Sequence, residues 1–446
     1  MNELKGDLPE GFKMTELGPL PEEWEVINLN EVIDLRRGVS WRKEEANREG
    51  IGVPVVGIPN IKENGSIDFS DTYFLNKNIS EEKILRINDI LFVGSSGSIK
   101  NIGRNVLIRE IPQNRFTYAS FTFLGRVSSM KVDNKYLFYL LNSPLVDFTK
   151  YARRASDGKY NFQLTQFKNE QKIPLPPLPE QRKIAAILSA IQEAKEKTEA
   201  VISATRELKK SMMNYLFTYG PVPVVDAENV PLKETELGPL PEEWEVVRLG
   251  DIFEFSRKPR NLEVNDDDLI PFIPMESISE ESQSIKFWEQ KKYSEISSGS
   301  FVFKNDIIIA KITPSFENGK QAILDSLPMD FGYATTEIWA LHPKNEQVIT
   351  QHLYNYIKIH SIRMDLAKKM EGSTGRQRLP RHVLENLLIP LPPLPTQQKI
   401  ASMLSAIDQK IEAEENKKKA LEDLFKTLLH NLMTAKIRVN SLEVGV

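Results

Sequence analysis

At 446 residues the chain is too long for one ordinary hydrophobic core, and two or more domains are expected. Its 40% hydrophobic and 27% charged residues exclude a disordered chain, and the net charge of −4 supplies no global attraction for nucleic acid. The absence of Cys excludes disulfides, thiolate metal sites and cysteine nucleophiles, and it suits a reducing, cytoplasmic setting. The opening MNELKGDLPEGF has no apolar stretch before a cleavage site. No uncharged apolar run approaches the ~20 residues of a bilayer span, so no membrane association is expected.

Along the chain, the first landmark is Thr15–Val26, TELGPLPEEWEV. A cluster of Arg36, Arg37, Trp41, Arg42 and Lys43 follows, in which the Trp is read as packing. The apolar, β-branched run after Asp89, ILFVG, predicts a strand, and Asn134–Ser143 predicts a helix packed on it. Between them Gly, Asn and Ser mark loops. Ile173–Ile191, IPLPPLPEQRKIAAILSAI, ends this globular part. Prolines 174, 176, 177 and 179 are expected to stiffen the entry to a helix without lying inside it.

From Glu180 to Phe217 the chain takes on helical periodicity, with Ile184, Leu188, Ile191, Thr198, Val201, Thr205, Leu208, Met212 and Tyr215 forming a narrow stripe. Such a helix of 38 residues would be about 57 Å long. Then the landmarks recur. Thr235–Val246 again reads TELGPLPEEWEV, and Ile389–Ile407 reads IPLPPLPTQQKIASMLSAI. Between them Asn305-Asp306-Ile307 answers Asn88-Asp89-Ile90, and Tyr333-Ala334-Thr335 answers Tyr118-Ala119-Ser120. Four anchors in one order at nearly constant offset establish a duplication of whole domains. The run Ile307–Ile312 predicts the second strand, Thr350–Ile359 the second packed helix, and Ile400, Leu404, Ile407, Ile411, Leu421, Leu424, Leu428 and Leu432 the second long stripe. The polar stretch Glu414–Lys419 interrupts that stripe. Narrow stripes at heptad spacing seek another helix, and the obvious partner is the other copy, paired antiparallel as a coiled coil.

The expected architecture is therefore α+β, with two mixed α/β domains, two long helices and a pseudo-twofold internal repeat. The segments are 1–178, 179–220, 221–394 and 395–446. The frames are nearly identical while the domain interiors have diverged, so the frame does one job twice and the interiors recognise two different things. Neutral drift of two structural domains is the competing account of the divergence.

The two copies of PLPEEWEV, the two copies of IPLPPLxxQxKIA and the ending Thr434-AKIRV resemble the specificity subunits of type I restriction–modification systems. The likeness covers nearly the whole chain, apart from a short tail, Asn440–Val446. It implies two target-recognition domains separated by conserved helices, and a chain that is not itself catalytic. Such a chain confers sequence specificity on a methyltransferase (M) subunit using S-adenosylmethionine, and on an ATP- and Mg-dependent restriction (R) subunit where one is present. Its implied target is double-stranded DNA, bipartite and asymmetric, with the helices fixing the gap; half-sites read from one face lie about one helical turn, ~34–36 Å, or more apart.

The residues themselves carry no competing enzyme motif. There is no Asp/Asn-Pro-Pro-aromatic tetrapeptide of an amino-methyltransferase, and Gly94–Asn101 fails the phosphate-loop spacing. The five histidines, His342, His352, His360, His382 and His430, have no metal-ligand spacing and are read as surface or helix residues.

Net charge hides local clusters. Residues 25–172 hold 22 basic against 17 acidic residues; residues 245–388 hold 18 against 21, yet residues 363–381 hold 6 against 2. Two kinds of segment combine flexibility with groups able to contact phosphates and base edges. The first follows each central strand: Ser95, Ser96, Ser98, Lys100, Asn101 and Arg104 in one copy, Lys311, Thr313, Ser315, Asn318 and Lys320 in the other. The second precedes each Pro-rich run: Arg153, Arg154, Lys159, Tyr160 and Asn161, then Ser373, Thr374, Arg376, Gln377 and Arg378. Plain hairpin connections, solvated basic loops and contacts with the methyltransferase stay open as alternatives for these segments. For the whole chain the competing reading is a two-headed protein-scaffolding adaptor without DNA binding.

Overall fold

The computed structural model describes residues 8–62, 65–112, 115–373 and 375–439. The chain divides into two compact units, Met1–Lys197 with Lys418–Val446, and Thr198–Lys417. Each long helix is thus shared, one part to each unit. Among the described residues no helix is long and apolar enough to cross a membrane.

The first unit is built on an antiparallel sheet whose order is Asn105–Leu107, Ile90–Val93, Thr122–Val127, Ile33–Arg37. The strand predicted after Asp89 lies inside it with all four residues buried. A second sheet places Thr117–Tyr118 parallel to Val53–Val56, followed by Tyr73–Leu75 and Ala46–Asn47. The second unit repeats the first sheet strand for strand: Gln321–Ile323, Ile307–Ala310, Ile338–Pro343, Phe253–Phe255. Its second sheet again holds one parallel pair, Leu269–Ile273 with Phe331–Ala334, and Glu289–Lys292 takes the place of Tyr73–Leu75, but the fourth strand, Ser300–Phe303, lies on the opposite edge from Ala46–Asn47. Asn88 and Asn305 enter the central strands at φ of 72° and 69°, a conformation Asn tolerates better than most residues, which explains why both copies spell Asn-Asp-Ile there.

The repeated landmarks are two strands of one ribbon. Glu25–Asn28 pairs with Lys172–Leu175, Val26 facing Pro174; Glu245–Arg248 pairs with Leu388–Leu391, Val246 facing Pro390. The ribbon closes each unit where its helix departs. The Gln of each PLPxQ is fully buried and ties the junction by three hydrogen bonds. Gln181 Nε2 donates to the carbonyls of Lys131 (2.9 Å) and Pro176 (2.8 Å), and its Oε1 accepts from the Asp133 amide (2.9 Å). Gln397 does the same with Gln347 (2.9 Å), Pro392 (2.8 Å) and the Ile349 amide (3.1 Å). The ring above each ribbon also finds a Pro carbonyl, Tyr136 at Pro174 (3.0 Å) and His352 at Pro390 (2.7 Å). Burial of His352 pushes its imidazole down to about 4, so it is neutral.

The long helices span Leu178–Tyr219 and Leu394–Met433. Pro179 and Pro395 lie within their first turns, contrary to the expectation of a start after the prolines; a first-turn N–H has no intrahelical partner to lose. The helices pair antiparallel. In the first unit Ile184 and Leu188 share a core with Leu429, Leu432 and Met433, and Lys195 faces Glu422 at 3.9 Å. In the second unit Met213, Leu216 and Phe217 share a core with Ile400 and Leu404, Arg206 meets Glu415 at 2.6 Å, and Lys209 pairs with Asp408. The seam of the first helix departs from the predicted stripe. Ile202, Met213 and Leu216 are buried, whereas Val201 and Leu208 are exposed. Adjacent apolar residues let a 3.5-residue stripe be drawn one position off, and the ion pairs that complete the seam look polar in sequence. The interruption at Glu414–Lys419 is continuous helix, its Glu414 accepting from Lys410 (2.6 Å) and Lys417 (3.5 Å).

At the end of the second helix Arg438 returns to the first ribbon. Its guanidinium bonds both carboxylate oxygens of Glu180 (2.9 and 3.2 Å) and also Glu23, while Trp24 Nε1 donates to Glu180 at 3.0 Å. Glu180 is buried, so its charge is matched by this one guanidinium and the indole N–H.

Candidate nucleic-acid interface

The two predicted segments of each copy, some sixty residues apart in sequence, meet in space. In the first unit Ser95–Ser96 forms a short strand against Tyr160–Phe162, with Asn161 opposite Ser95 and Tyr160 opposite Ser96. Ala152–Arg154 adds the third strand. In the second unit Glu371–Ser373 and Arg376–Arg378 form a hairpin, and Arg378 bridges to Ile312. The Thr313 amide donates to the Gln377 carbonyl at 3.1 Å.

One backbone construction underlies both. The Gly94 amide donates to the Phe121 carbonyl (2.8 Å), and the Gly94 carbonyl accepts from the Phe162 amide (2.9 Å). The Lys311 amide donates to the Glu337 carbonyl (3.0 Å), and the Lys311 carbonyl accepts from the Leu379 amide (2.8 Å). Gly94, Phe121 and Phe162 are therefore the counterparts of Lys311, Glu337 and Leu379. Each loop ends on a left-handed glycine, Gly103 or Gly319; a Cβ there would run into the Phe148 ring (2.1 Å) or the Arg363 guanidinium (2.4 Å).

Not every predicted residue is free to meet a ligand. Ser95 is buried. Arg104 donates to the Ile61 carbonyl (3.0 Å), Lys320 to the Met275 carbonyl (3.1 Å), and Asn318 to Glu280 (3.2 Å), so these three brace the loops. The Ser315 carbonyl accepts from the Lys320 amide at 3.0 Å, closing the second loop. Ser96, through its hydroxyl, accepts from the Ser98 amide at 3.1 Å, and Asn101 lies in the short helical turn that follows. Tyr160 packs on the first core. Arg153 donates to the carbonyls of Lys150 and Ala152, and Lys159 faces Asp157 at 4.0 Å. Lys100, Arg154 and Arg376 are exposed and hold no ion pair among the described residues, as suits phosphate contacts. Ser373 and Gln377 lie on the exposed hairpin; Thr374 lies outside the described residues.

Residues that the sequence reading passed over complete the surface. In the first unit a cleft of about 560 Å³ is lined by Arg37, Phe121, Phe123, Asn161, Gln163 and Thr165, among others. Phe121 is 62% exposed, and Arg37 lies over the Phe123 ring at 5.5 Å without an ion pair among the described residues. In the second unit the same position is filled. Lys311 lies over the Trp339 ring at 4.2 Å, and burial pushes its ammonium below the usual value. Arg378 pairs with Glu337 at 2.6 Å. At the opposite end of the same strand pair the buried Asp306 accepts from Ser256 and meets His342 Nδ1 at 2.7 Å; the counterpart in the first unit is Asp89 with Arg126 at 2.7 Å. His342 is thus a strand residue with a carboxylate partner and not a plain surface histidine. Ser256 bonds the carboxylate and not the imidazole, so the group is no nucleophilic triad.

The model of the type I restriction modification DNA specificity domain matches residues 21–204 and again 241–423, one copy per repeat. The type I restriction enzyme MjaVIII specificity subunit of Methanocaldococcus jannaschii is 27% identical over 97% of this chain and 97% of its own length. The type I restriction enzyme EcoAI specificity subunit of Escherichia coli is 34% identical over 48% of this chain and 36% of its own. The crystal structure of the type I restriction-modification system S subunit from M. genitalium superimposes with a TM-score of 0.58 at 18% identity, over 92% of this chain and 96% of that one. With the domain model matched twice, one match within each repeat, the chain belongs to the type I restriction–modification DNA specificity family.

Proposed function

We propose that this chain reads a bipartite, asymmetric duplex DNA target, one half-site per unit, and carries that specificity to the methyltransferase and restriction subunits of its system. The observation that carries the reading is the paired construction at Gly94 and Lys311: the backbone bonds are the same and the side chains differ. A scaffold kept constant beneath a variable polar and basic surface suits recognition of two sequences on one kind of ligand. In this reading the chain performs no chemistry. S-adenosylmethionine, ATP and Mg are held by the partner subunits, and the complex works in the cytoplasm. Val201 and Leu208, exposed seven residues apart on one helix face, offer an apolar strip to a partner subunit.

The test is duplex binding by the chain with and without its methyltransferase partner at rising salt, followed by mapping of the methylated motif. A DNA reader loses affinity steeply as salt rises, because the counterions it displaces from the phosphates gain less entropy on release into a saltier solution. The protein-scaffolding alternative is upheld instead if no salt-dependent duplex binding exists under either condition.

A further inference from the structure

We infer that Phe121 with Asn161, and Glu337 with Arg378, are equivalent two-residue readers of one base pair in each half-site, taking A·T in the first unit and G·C in the second. The inference rests on the DNA-reading role proposed above and adds the chemistry of one position.

Equivalence comes from backbone bonding. Phe121 and Glu337 each accept from the residue ending the central strand, Gly94 or Lys311. Asn161 and Arg378 each precede the residue that returns a hydrogen bond to that same position, and each faces the next residue of the loop, Ser95 or Ile312. The two members of a pair therefore stand together on the surface in both units.

Their side chains differ in a complementary way. Phe121 is 62% exposed, beside an Asn161 amide that makes no hydrogen bond among the described residues, and both line one cleft. An amide offers one donor and one acceptor to adenine N7 and N6, and an apolar ring suits the thymine methyl, which lies on the same major-groove edge. Arg378 is 63% exposed, and Glu337 is 29% exposed. One guanidinium nitrogen is held by Glu337 Oε1 at 2.6 Å, which orients the remaining donors toward the O6 and N7 acceptors of guanine. Glu337 Oε2 is buried without a hydrogen-bond partner, so the carboxylate acts on the base pair only through the guanidinium that it holds. Glu337 is in this sense a positioning residue for Arg378.

The measurement uses the full chain with its methyltransferase partner and duplexes carrying the mapped motif with each base pair changed in turn. Wild type should require an A·T pair in the first half-site and a G·C pair in the second. Arg378→Lys, a change at an exposed side chain, should cut discrimination at that one G·C pair about tenfold or more and leave every other pair as it was. The exchange E337F/R378N should move the preference at that pair to A·T, and F121E/N161R should move the first half-site to G·C. The inference is overturned if R378K keeps wild-type discrimination at every pair. It is also overturned if an exchange that still methylates DNA leaves its own half-site unchanged, or alters the other. Wild-type chain that shows no salt-dependent duplex binding refutes the DNA-reading role itself, which is a separate result.

Discussion

Replacing Gln181 with Leu tests whether the repeated PLPxQ motif is retained for structure. Leu fills a similar volume but leaves the carbonyls of Lys131 and Pro176 and the amide of Asp133 without their partner in a fully buried place. Each orphaned buried group costs about 1–3 kcal/mol, and the carbonyls retain weaker alternatives, so about 3–5 kcal/mol is expected. That is a large part of the stability of an ordinary domain. Asp133 also caps the helix Asn134–Leu141, accepting from the amides of Lys135 and Tyr136, so the loss should open that helix first. Hydrogen–deuterium exchange read by mass spectrometry is the assay. Protection of 134–141 should fall more than a hundredfold in Gln181→Leu while 350–358 keeps its own, and Gln397→Leu should give the mirror result. A loss below about tenfold in either helix would refute the assignment of the glutamines as the ties of their junctions.

The Asp306–His342 pair gives the second unit a titratable link where the first has Asp89 with Arg126. The Asp306 carboxylate raises the His342 pKa above its usual 6.5, and burial raises that of Asp306. A raised His contributes stability below its unfolded value and loses it as pH rises through the folded value, and a raised Asp pushes the same way. The second unit should therefore weaken between roughly pH 6 and 8, by about 0.5 kcal/mol given the partial exposure of the ring. His342→Arg, which copies Arg126, should flatten the slope in thermal melts; an unchanged slope would remove the pair as its cause. At the other end of the chain, Arg438→Met strands the buried Glu180 and should cost about 3 kcal/mol in the first unit. Adding Glu180→Gln should restore part of that loss in a double-mutant cycle, and strict additivity would argue against a coupled pair.

The order of elements was readable because the repeated landmarks are the ribbon strands and helix starts themselves. Asn88 and Asn305, Gln181 and Gln397 have local reasons to recur. The helix seam was less readable, since Val201 and Ile202 fit the same spacing and only packing selects Ile202. The candidate recognition surface is visible in sequence as four loop segments, but not its assembly: Asn161 meets Ser95, and Arg378 meets Ile312, through long-range pairing. Local composition also could not separate Arg104 and Lys320, which brace their loops, from Arg154 and Arg376, which do not. Phe121 carries no local signal because an isolated Phe reads as core, and Glu337 carries none because an acid is no candidate for contact with phosphates. Only the hydrogen bonds at Gly94 and Lys311 bring them to notice.

The sharing of each long helix between units makes a single repeat self-complementary. The first half of its helix, with Leu188, is covered by a sequence like its own second half: Leu429 corresponds to Met213 of the first repeat. One repeat alone would leave both halves uncovered, and a second identical copy paired antiparallel across a twofold axis would cover both at once by an isologous contact. Duplication within one polypeptide supplies that second copy in the same chain, and it leaves the loop surfaces of the two units free to differ.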